Sequence, residues 1–179
     1  IDEPLVLKKN VWLHGEGRGT LLSVQDSIGI LMKGLKGAKV SHVAVKSAQR
    51  HIATAGIVLD DCGDCQVNNV LVQGFKKYGI WVRNNSFLCE LISCKSADNA
   101  QANYFFKNLR AKGRGGDYVS NIVQSCISYG GKYGFATSKA LCVTIVGCIV
   151  HQSLDYGFYI SNKSNAVHLT GCRTFQVGS

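Results

Sequence analysis

A short segment recurs six times along the chain, and this repeat restricts the possible folds more than any other feature. The copies are Gly29-Ile-Leu-Met-Lys33, Gly56-Ile-Val-Leu-Asp60, Gly79-Ile-Trp-Val-Arg83, Asn103-Tyr-Phe-Phe-Lys107, Gly134-Phe-Ala-Thr-Ser138 and Gly157-Phe-Tyr-Ile-Ser161. Their starting positions differ by 27, 23, 24, 31 and 23 residues. Self-similarity at such a period is typical of solenoids, in which each repeat is too thin to bury its own apolar face and stacks on the next.

A second strand follows in most repeats and ends in a small or polar residue before a final apolar residue or cysteine. Aligning these strands gives one column of Val67, Leu91, Val123, Ile145 and Leu169, and another of Val70, Cys94, Cys126, Cys148 and Cys172. Strand residues alternate between faces, so both columns are predicted to point inward. Helical periodicity is weak throughout. The repeat therefore predicts an all-β parallel β-helix, right-handed because parallel crossovers almost always are.

Composition sets the scale of the domain and the class of partner. A chain of 179 residues with 46% hydrophobic and 17% charged residues can bury a core, and we expect a single domain over residues 1–179. Its pattern is already under way at Ile1, so a fragment of a longer chain is expected. No apolar run reaches the ~18 residues of a membrane span, so membrane insertion is not expected. The net charge of +9 favours acidic partners or a solvated basic surface.

Strand starts and turns give the pattern a family resemblance. Tyr-Gly-Ile at Tyr78, Tyr-Gly-Phe at Tyr133 and Tyr156, and the turns Asn68-Asn69, Asn84-Asn85 and Ser161-Asn162 resemble the pectate-lyase-like right-handed β-helix superfamily, including its NosD-like and carbohydrate-binding repeats. The resemblance covers roughly residues 6–177. It implies the fold but leaves the activity open, since the superfamily includes lyases, hydrolases, epimerases and phage tailspikes. We expect an extracellular or virion-surface location.

The first strand of each repeat also has an outward face. One outward column reads Leu31, Val58, Trp81, Phe105, Ala136 and Tyr159, and the next reads Lys33, Asp60, Arg83, Lys107, Ser138 and Ser161. Aromatic faces stack on sugar rings, and charged side chains bind carboxylates and move protons. In the lyases that this chain resembles, acidic sugars lie along such a sheet near an Arg or Lys. The resemblance thus suggests Asp60, Arg83 and Lys107 as catalytic residues.

Two further groups of residues complete the predicted site. Trp81, Phe105 and Tyr159 are the expected sugar platforms. Arg110, Lys112 and Arg114 lie in the insertion of the longest repeat and are predicted either to clamp a polyanion or to form a flexible basic loop. The alternative for the whole outward face is contact with another subunit, as in a homotrimer.

Cysteines and acidic residues are the candidate metal ligands of this sequence. Four cysteines fall in an inward column, where a small thiol suits core packing. Cys62-x-x-Cys65 lacks a second ligand pair, and no acidic cluster indicates calcium, so we predict no metal and no cofactor. Asp60-Asp61 resembles the paired aspartates of polygalacturonases, but the downstream Gly-His-Gly and Arg-x-Lys of that family are missing, which disfavours hydrolysis. No nucleic-acid-binding motif is present.

The predicted function is therefore binding or depolymerisation of an acidic polysaccharide, with lyase or epimerase chemistry if the protein is an enzyme. The alternative is a non-catalytic structural or adhesive β-helix, such as part of a phage tailspike or another receptor-binding protein.

Overall fold

The fold is a parallel solenoid of seven coils, as the repeat predicts. The computed structural model describes residues 1–17, 19–109, 120–161 and 163–178. Within those ranges the chain forms 21 strands and no helix, and each coil adds one strand to each of three parallel sheets. No helix of the described residues is long and apolar enough to cross a membrane.

Each sheet has seven strands in chain order. Sheet A contains β1 (Leu5–Val6), β4 (Ile28–Lys33), β7 (Ala55–Asp60), β10 (Tyr78–Arg83), β13 (Ala102–Lys107), β16 (Tyr133–Ser138) and β19 (Tyr156–Ile160). Sheet B contains β2 (Trp12–His14), β5 (Lys39–Ser41), β8 (Gln66–Asn68), β11 (Glu90–Ile92), β14 (Asn121–Gln124), β17 (Leu141–Val146) and β20 (Asn165–Thr170). Sheet C contains β3 (Leu21–Val24), β6 (Ala44–Ser47), β9 (Leu71–Gln73), β12 (Lys95–Ala97), β15 (Ile127–Tyr129), β18 (Ile149–His151) and β21 (Arg173–Phe175).

The strand register confirms the columns that the sequence predicts. In sheet A, Trp81 lies between Val58 and Phe105. In sheet B, Leu91 lies between Val67 and Val123. Because parallel neighbours are about 4.8 Å apart, one residue from each coil stacks over the same residue of the next.

Cysteines pack in the core, as expected for small apolar side chains. Cys94, Cys126 and Cys148 are buried in one inward column, and none of the eight cysteines forms a disulfide. The backbone N–H of Cys94 lies 3.4 Å from Cys126 Sγ, and that of Cys126 lies 3.4 Å from Cys148 Sγ. These thiols therefore satisfy backbone donors between coils as well as filling volume.

The last coil departs from the predicted burial. The alternation assigns Phe158 and Ile160 to the interior, yet Phe158 is only partly buried and Ile160 is 44% exposed. Their strand, β19, pairs only with β16 among the described strands. An inward side chain needs a coil on each side to be covered, and here one side is open.

The start of most sheet A strands breaks the simple alternation of faces. A Cβ atom added to Gly79 would meet Asn99 Nδ2 at 2.6 Å and would also collide with Ser96 Oγ, so Gly79 faces the interior. Ile80 is buried as well. With two successive residues turned inward, Tyr78 emerges on the outer face of sheet A, where strict alternation from Ile80 would have turned it inward.

Candidate functional site

The outer face of sheet A brings together most of the predicted site residues. Asp60, Arg83 and Lys107 occupy one register position on β7, β10 and β13, with Ser138 next along the column. Three consecutive coils thus present a carboxylate, a guanidinium and an ammonium group side by side.

Asp60 and Arg83 form an ion pair that leaves little of either charge available. Arg83 donates from Nε and Nη2 to Asp60 Oδ2 over 2.9 and 2.7 Å, and Asn84 Nδ2 donates to Oδ1 over 2.9 Å. Asp60 is only 7% exposed. The guanidinium carbon also lies 4.3 Å from the centroid of the Trp81 ring, so Arg83 is held from two directions.

Lys107 is in a different situation. It lies one coil beyond Arg83 in the same column and forms no ion pair with any described residue. Of the three predicted catalytic residues, it alone has a charge that no described group opposes directly.

Aromatic side chains form two groups on the outer face. The first contains Tyr78, Trp81 and Phe105: Tyr78 stacks on Phe105 with ring centroids 4.5 Å apart and lies 4.8 Å from Trp81. Packing in this group buries Tyr78 in part, and that burial raises the pKa of its phenol. Like an ordinary tyrosine, the phenol is protonated at neutral pH, and a protonated phenol can donate a hydrogen bond to a ligand.

The second group contains Tyr133, Tyr156 and Tyr159. Tyr133 stacks on Tyr159 at 5.0 Å and on Tyr156 at 6.1 Å. Lys132 flanks this group, with its ammonium 5.4 Å from the Tyr133 ring centroid and 3.4 Å from Asp155 Oδ2. The hydrogen bond with Asp155 raises the pKa of Lys132.

A slot separates the two aromatic groups. Its floor contains Ala102 and Ala136, the small members of two outward columns. Phe105 and Tyr159 stand on either side of Ala136 in one column, so their backbones are two coils apart, about 9–10 Å. The depression has a volume of about 230 Å³ and is lined by Tyr78, Gln101, Ala102, Phe105, Tyr133, Ala136, Thr137, Ser138, Tyr159 and Ser161.

The sequence predicts only two of the four aromatic residues that line the slot. The outward aromatic column predicts Phe105 and Tyr159 as sugar platforms, whereas Tyr78 and Tyr133 stand in the sequence only as markers of strand starts. The sequence feature that indicates their role is their position directly before the inward glycine. Because the glycine and the residue after it both face inward, the tyrosine before the glycine lies on the outer face. The small size of Ala102 and Ala136 acquires meaning only once the larger neighbours are placed beside them.

Some predictions fall outside this face or outside the described residues. Arg110, Lys112 and Arg114 lie outside the described residues. Trp81 is next to the slot but does not line it. Among the described residues, no group of three or more His, Cys, Asp or Glu side chains is arranged to hold a metal ion.

Comparison with known proteins identifies the family. A model of the right-handed beta helix region matches residues 28–178. The chain belongs to the right-handed beta helix family. A crystal structure of an alginate lyase from Paenibacillus sp. strain FPU-7 resembles this β-helix with a TM-score of 0.48 and 10% sequence identity, over 97% of this chain and 91% of that chain. No curated protein sequence matches the β-helix.

Proposed function

We propose that this protein binds an acidic polysaccharide along the outer face of sheet A. The observation that carries the proposal is the slot between the two aromatic groups, with Phe105 on one side and Tyr159 on the other. A ring in van der Waals contact with an aromatic surface on each face needs a spacing of at least about 7–8 Å, and somewhat more for a puckered sugar. The two-coil separation of the backbones accommodates this spacing. One sugar ring would thus be held between two platforms.

Polar groups around the slot suit a hydroxylated and anionic ligand. Gln101, Ser138 and Ser161 line it and offer donors and acceptors to sugar hydroxyls. Lys107 lies beside Ser138 in the neighbouring column and offers a cation to a carboxylate. An apolar recess with a few convergent polar groups is the usual composition of a small-ligand site.

The catalytic part of the proposal is lyase or epimerase chemistry at the charged column. In a lyase step, a base removes the proton from C5 of a uronate and a C4–C5 double bond forms. The C4–O bond to the leaving sugar breaks with its electrons going to oxygen, and this oxygen takes up a proton from the base or from water. Lys107 is the proposed group that neutralises the uronate carboxylate or takes the proton. Arg83, with Asp60 as its partner, is the second candidate for carboxylate binding.

The binding proposal is tested by filling the slot. Ala136→Trp should weaken binding of galacturonate, mannuronate or heparin hexasaccharides at least about tenfold by calorimetry, because the added indole occupies the space of the sugar ring. Leu31→Trp is the matched control, since it adds an indole to the same outward column four coils away. Equal affinities of both variants and the parent, with unchanged thermal unfolding, would refute the slot as the binding site.

The catalytic proposal needs a separate readout. Incubation with each polymer should produce ultraviolet absorbance from the unsaturated sugar together with new reducing ends. Lys107→Ala should abolish both signals, whereas Lys33→Ala, in the same column and exposed, should leave them unchanged. Polymer binding without either signal would exclude lyase chemistry.

A non-catalytic adhesive role is the second candidate, and the ion pair favours it. Asp60 and Arg83 bind each other, which leaves Lys107 as the one predicted catalytic residue without an ion pair to a described residue. A mechanism with a separate base and acid would need a second group beside it. An adhesive protein would bind polymer without turnover, and a trimer would be seen by sedimentation velocity.

A further inference from the structure

A second set of depressions lies away from sheet A, where the strands of sheet C turn into the next coil. Three adjoining depressions of about 320, 250 and 270 Å³ are found there, and Asp98 lines all three. None of them shares a residue with the slot on sheet A. We refer to the surface formed by Lys46, Arg50, Gln73, Lys95, Asp98 and Tyr129 as the Asp98 groove.

The turn that holds Asp98 recurs in the neighbouring coils. Gly74 donates its N–H to the carbonyl of Ala97 in the coil of Asp98, and Asp98 donates its own N–H to the carbonyl of Tyr129, beside Gly130. Asp98, Gly74 and Gly130 all have positive φ angles of 54°, 84° and 62°, so the same turn recurs in three coils. A Cβ atom at Gly130 would lie 2.7 Å from Asp98 Oδ1, so glycine at this position allows the carboxylate oxygen to pack against the backbone of the next coil.

Hydrogen bonds fix the position of Asp98. Gln73 Nε2 donates to Asp98 Oδ2 over 3.1 Å, while Oδ1 is not used by any described side chain. His51 Nε2 lies 2.9 Å from the backbone carbonyl of Asp98, bridging across the coil of Gly74. One carboxylate oxygen is thereby oriented and the other remains available to a ligand.

Cations outnumber the carboxylate in this groove. Lys46 and Arg50 line one depression with Asp98, and Lys95 lines another. None of the three forms an ion pair with a described residue. The groove therefore has net positive charge and attracts anions, while its one carboxylate accepts hydrogen bonds from neutral hydroxyls.

An aromatic surface continues from the groove along sheet C. Tyr129 is 40% exposed and lines the groove beside Ala97, whose small side chain leaves the edge of the tyrosine uncovered. In the following coils, the ring centroids of Tyr129 and His151 are 6.4 Å apart, and Phe175 stacks on His151 with ring centroids 5.0 Å apart. Apolar rings beside unopposed cations are suited to a sugar polymer that carries acidic groups.

We propose that the Asp98 groove is a second binding site for an acidic oligosaccharide. Lys46 and Arg50 bind the anionic substituent, Asp98 Oδ1 accepts a hydroxyl, and Tyr129 stacks on a sugar ring. The carboxylate acceptor favours a glycan, which carries hydroxyl donors on every ring, over a single-stranded DNA, in which the donors are confined to the base edges and the phosphates repel a carboxylate. With the slot of the proposed function on sheet A, one chain would then hold two polymer strands on separate faces.

The test combines variants of the two faces. Calorimetry with galacturonate, mannuronate and heparin hexasaccharides should give about two equivalents bound to the parent chain and about one to Ala136→Trp. Adding Lys46→Ala and Arg50→Ala to Ala136→Trp should weaken the remaining site at least about tenfold. Tyr129→Ala in place of the charge changes should weaken it as well. The control pair Lys39→Ala and Arg173→Ala removes the same charge from exposed positions outside the groove.

The outcomes separate the two proposals. Three results would overturn the Asp98 groove. The groove variants could change the residual affinity of Ala136→Trp by less than about twofold, or Ala136→Trp could show no residual binding. The third result is a parent chain that binds none of the hexasaccharides. If Ala136→Trp leaves binding unchanged and the groove variants abolish it, the slot is overturned and the groove is supported. Competition by a single-stranded DNA hexamer at equal concentration would also overturn the assignment to a glycan.

Discussion

At the scale of single residues, the ion pair between Asp60 and Arg83 could stabilise the fold or take part in catalysis, and the two roles can be distinguished by experiment. Arg83→Ala leaves a nearly buried carboxylate that keeps its hydrogen bond from Asn84 Nδ2. We expect the free energy of unfolding to fall by about 1–3 kcal/mol, less than for a fully buried pair because Arg83 is partly exposed to solvent. Urea unfolding of the single variants and of the double variant Asp60→Ala/Arg83→Ala measures the coupling.

Stability distinguishes a structural Arg83 from a functional one. If the double variant is destabilised no more than Arg83→Ala alone, the pair acts as one structural unit. Arg83→Lys keeps the charge but loses the two-nitrogen contact, so it should recover only part of the stability. Loss of polymer turnover in Arg83→Ala with unchanged stability would instead assign Arg83 to chemistry.

At the scale of strands, an inward glycine near the start of five of the seven sheet A strands connects the packing of sheet C to the outer face of sheet A. A Cβ atom at Gly56 would meet Phe75 Cε2 and the carbonyl of Gly79 at 2.9 Å, and would also collide with Val72. Gly56→Ala should therefore lower the free energy of unfolding by about 1–3 kcal/mol. Gly19→Ala, where no atom lies within 4 Å, should have little effect in the same urea titration.

Asn103 is the exception in this glycine position, and its neighbours explain why. In its coil, the neighbouring residue of sheet C is Ser128. At the equivalent position of the next coil, Gly134 faces the larger Val150. The Asn103 amide donates to Ser128 Oγ over 2.7 Å and to the Gly130 carbonyl over 2.9 Å, while its oxygen accepts from Asn99 Nδ2 over 2.7 Å. A side chain is accommodated in this coil because small polar residues surround it and satisfy its amide.

At the scale of the whole molecule, buried thiols in several coils make stability depend on alkaline pH. A hydrogen bond with Cys65, followed by burial, raises the pKa of Cys62, and a hydrogen bond with Cys126, followed by burial, raises that of Cys148. The folded chain thus keeps protons that the unfolded chain releases above its thiol pKa of about 8.5. Stability contributed by these groups is present below that pH and is lost as pH rises, by about 1.4 kcal/mol per unit for each thiol.

Urea unfolding under reducing conditions from pH 7 to pH 10.5 measures this dependence. The free energy of unfolding should be flat with respect to thiol ionisation below about pH 8 and should fall above it. Cys62→Ala/Cys148→Ala should show a shallower fall than the parent. The same slope in both proteins would mean that other groups cause the alkaline loss.

The sequence by itself determined the solenoid, its coil boundaries and the faces of most strand residues. It could do so because a parallel stack places equivalent residues of every coil in one column, so that a repeat in the sequence is directly a repeat in space. Leu91 over Val67 and Cys126 over Cys94 follow from this relation alone.

The tertiary structure decided what depends on packing between columns. Tyr78 lies on the outer face because Gly79 and Ile80 both face inward. Ala136 forms the floor of a slot because its larger neighbours stand on either side of it. Asp60 and Arg83 were adjacent in the predicted column, but their mutual neutralisation depends on how the side chains bend toward each other. Such distances and orientations are set by many coils together, and no single repeat encodes them.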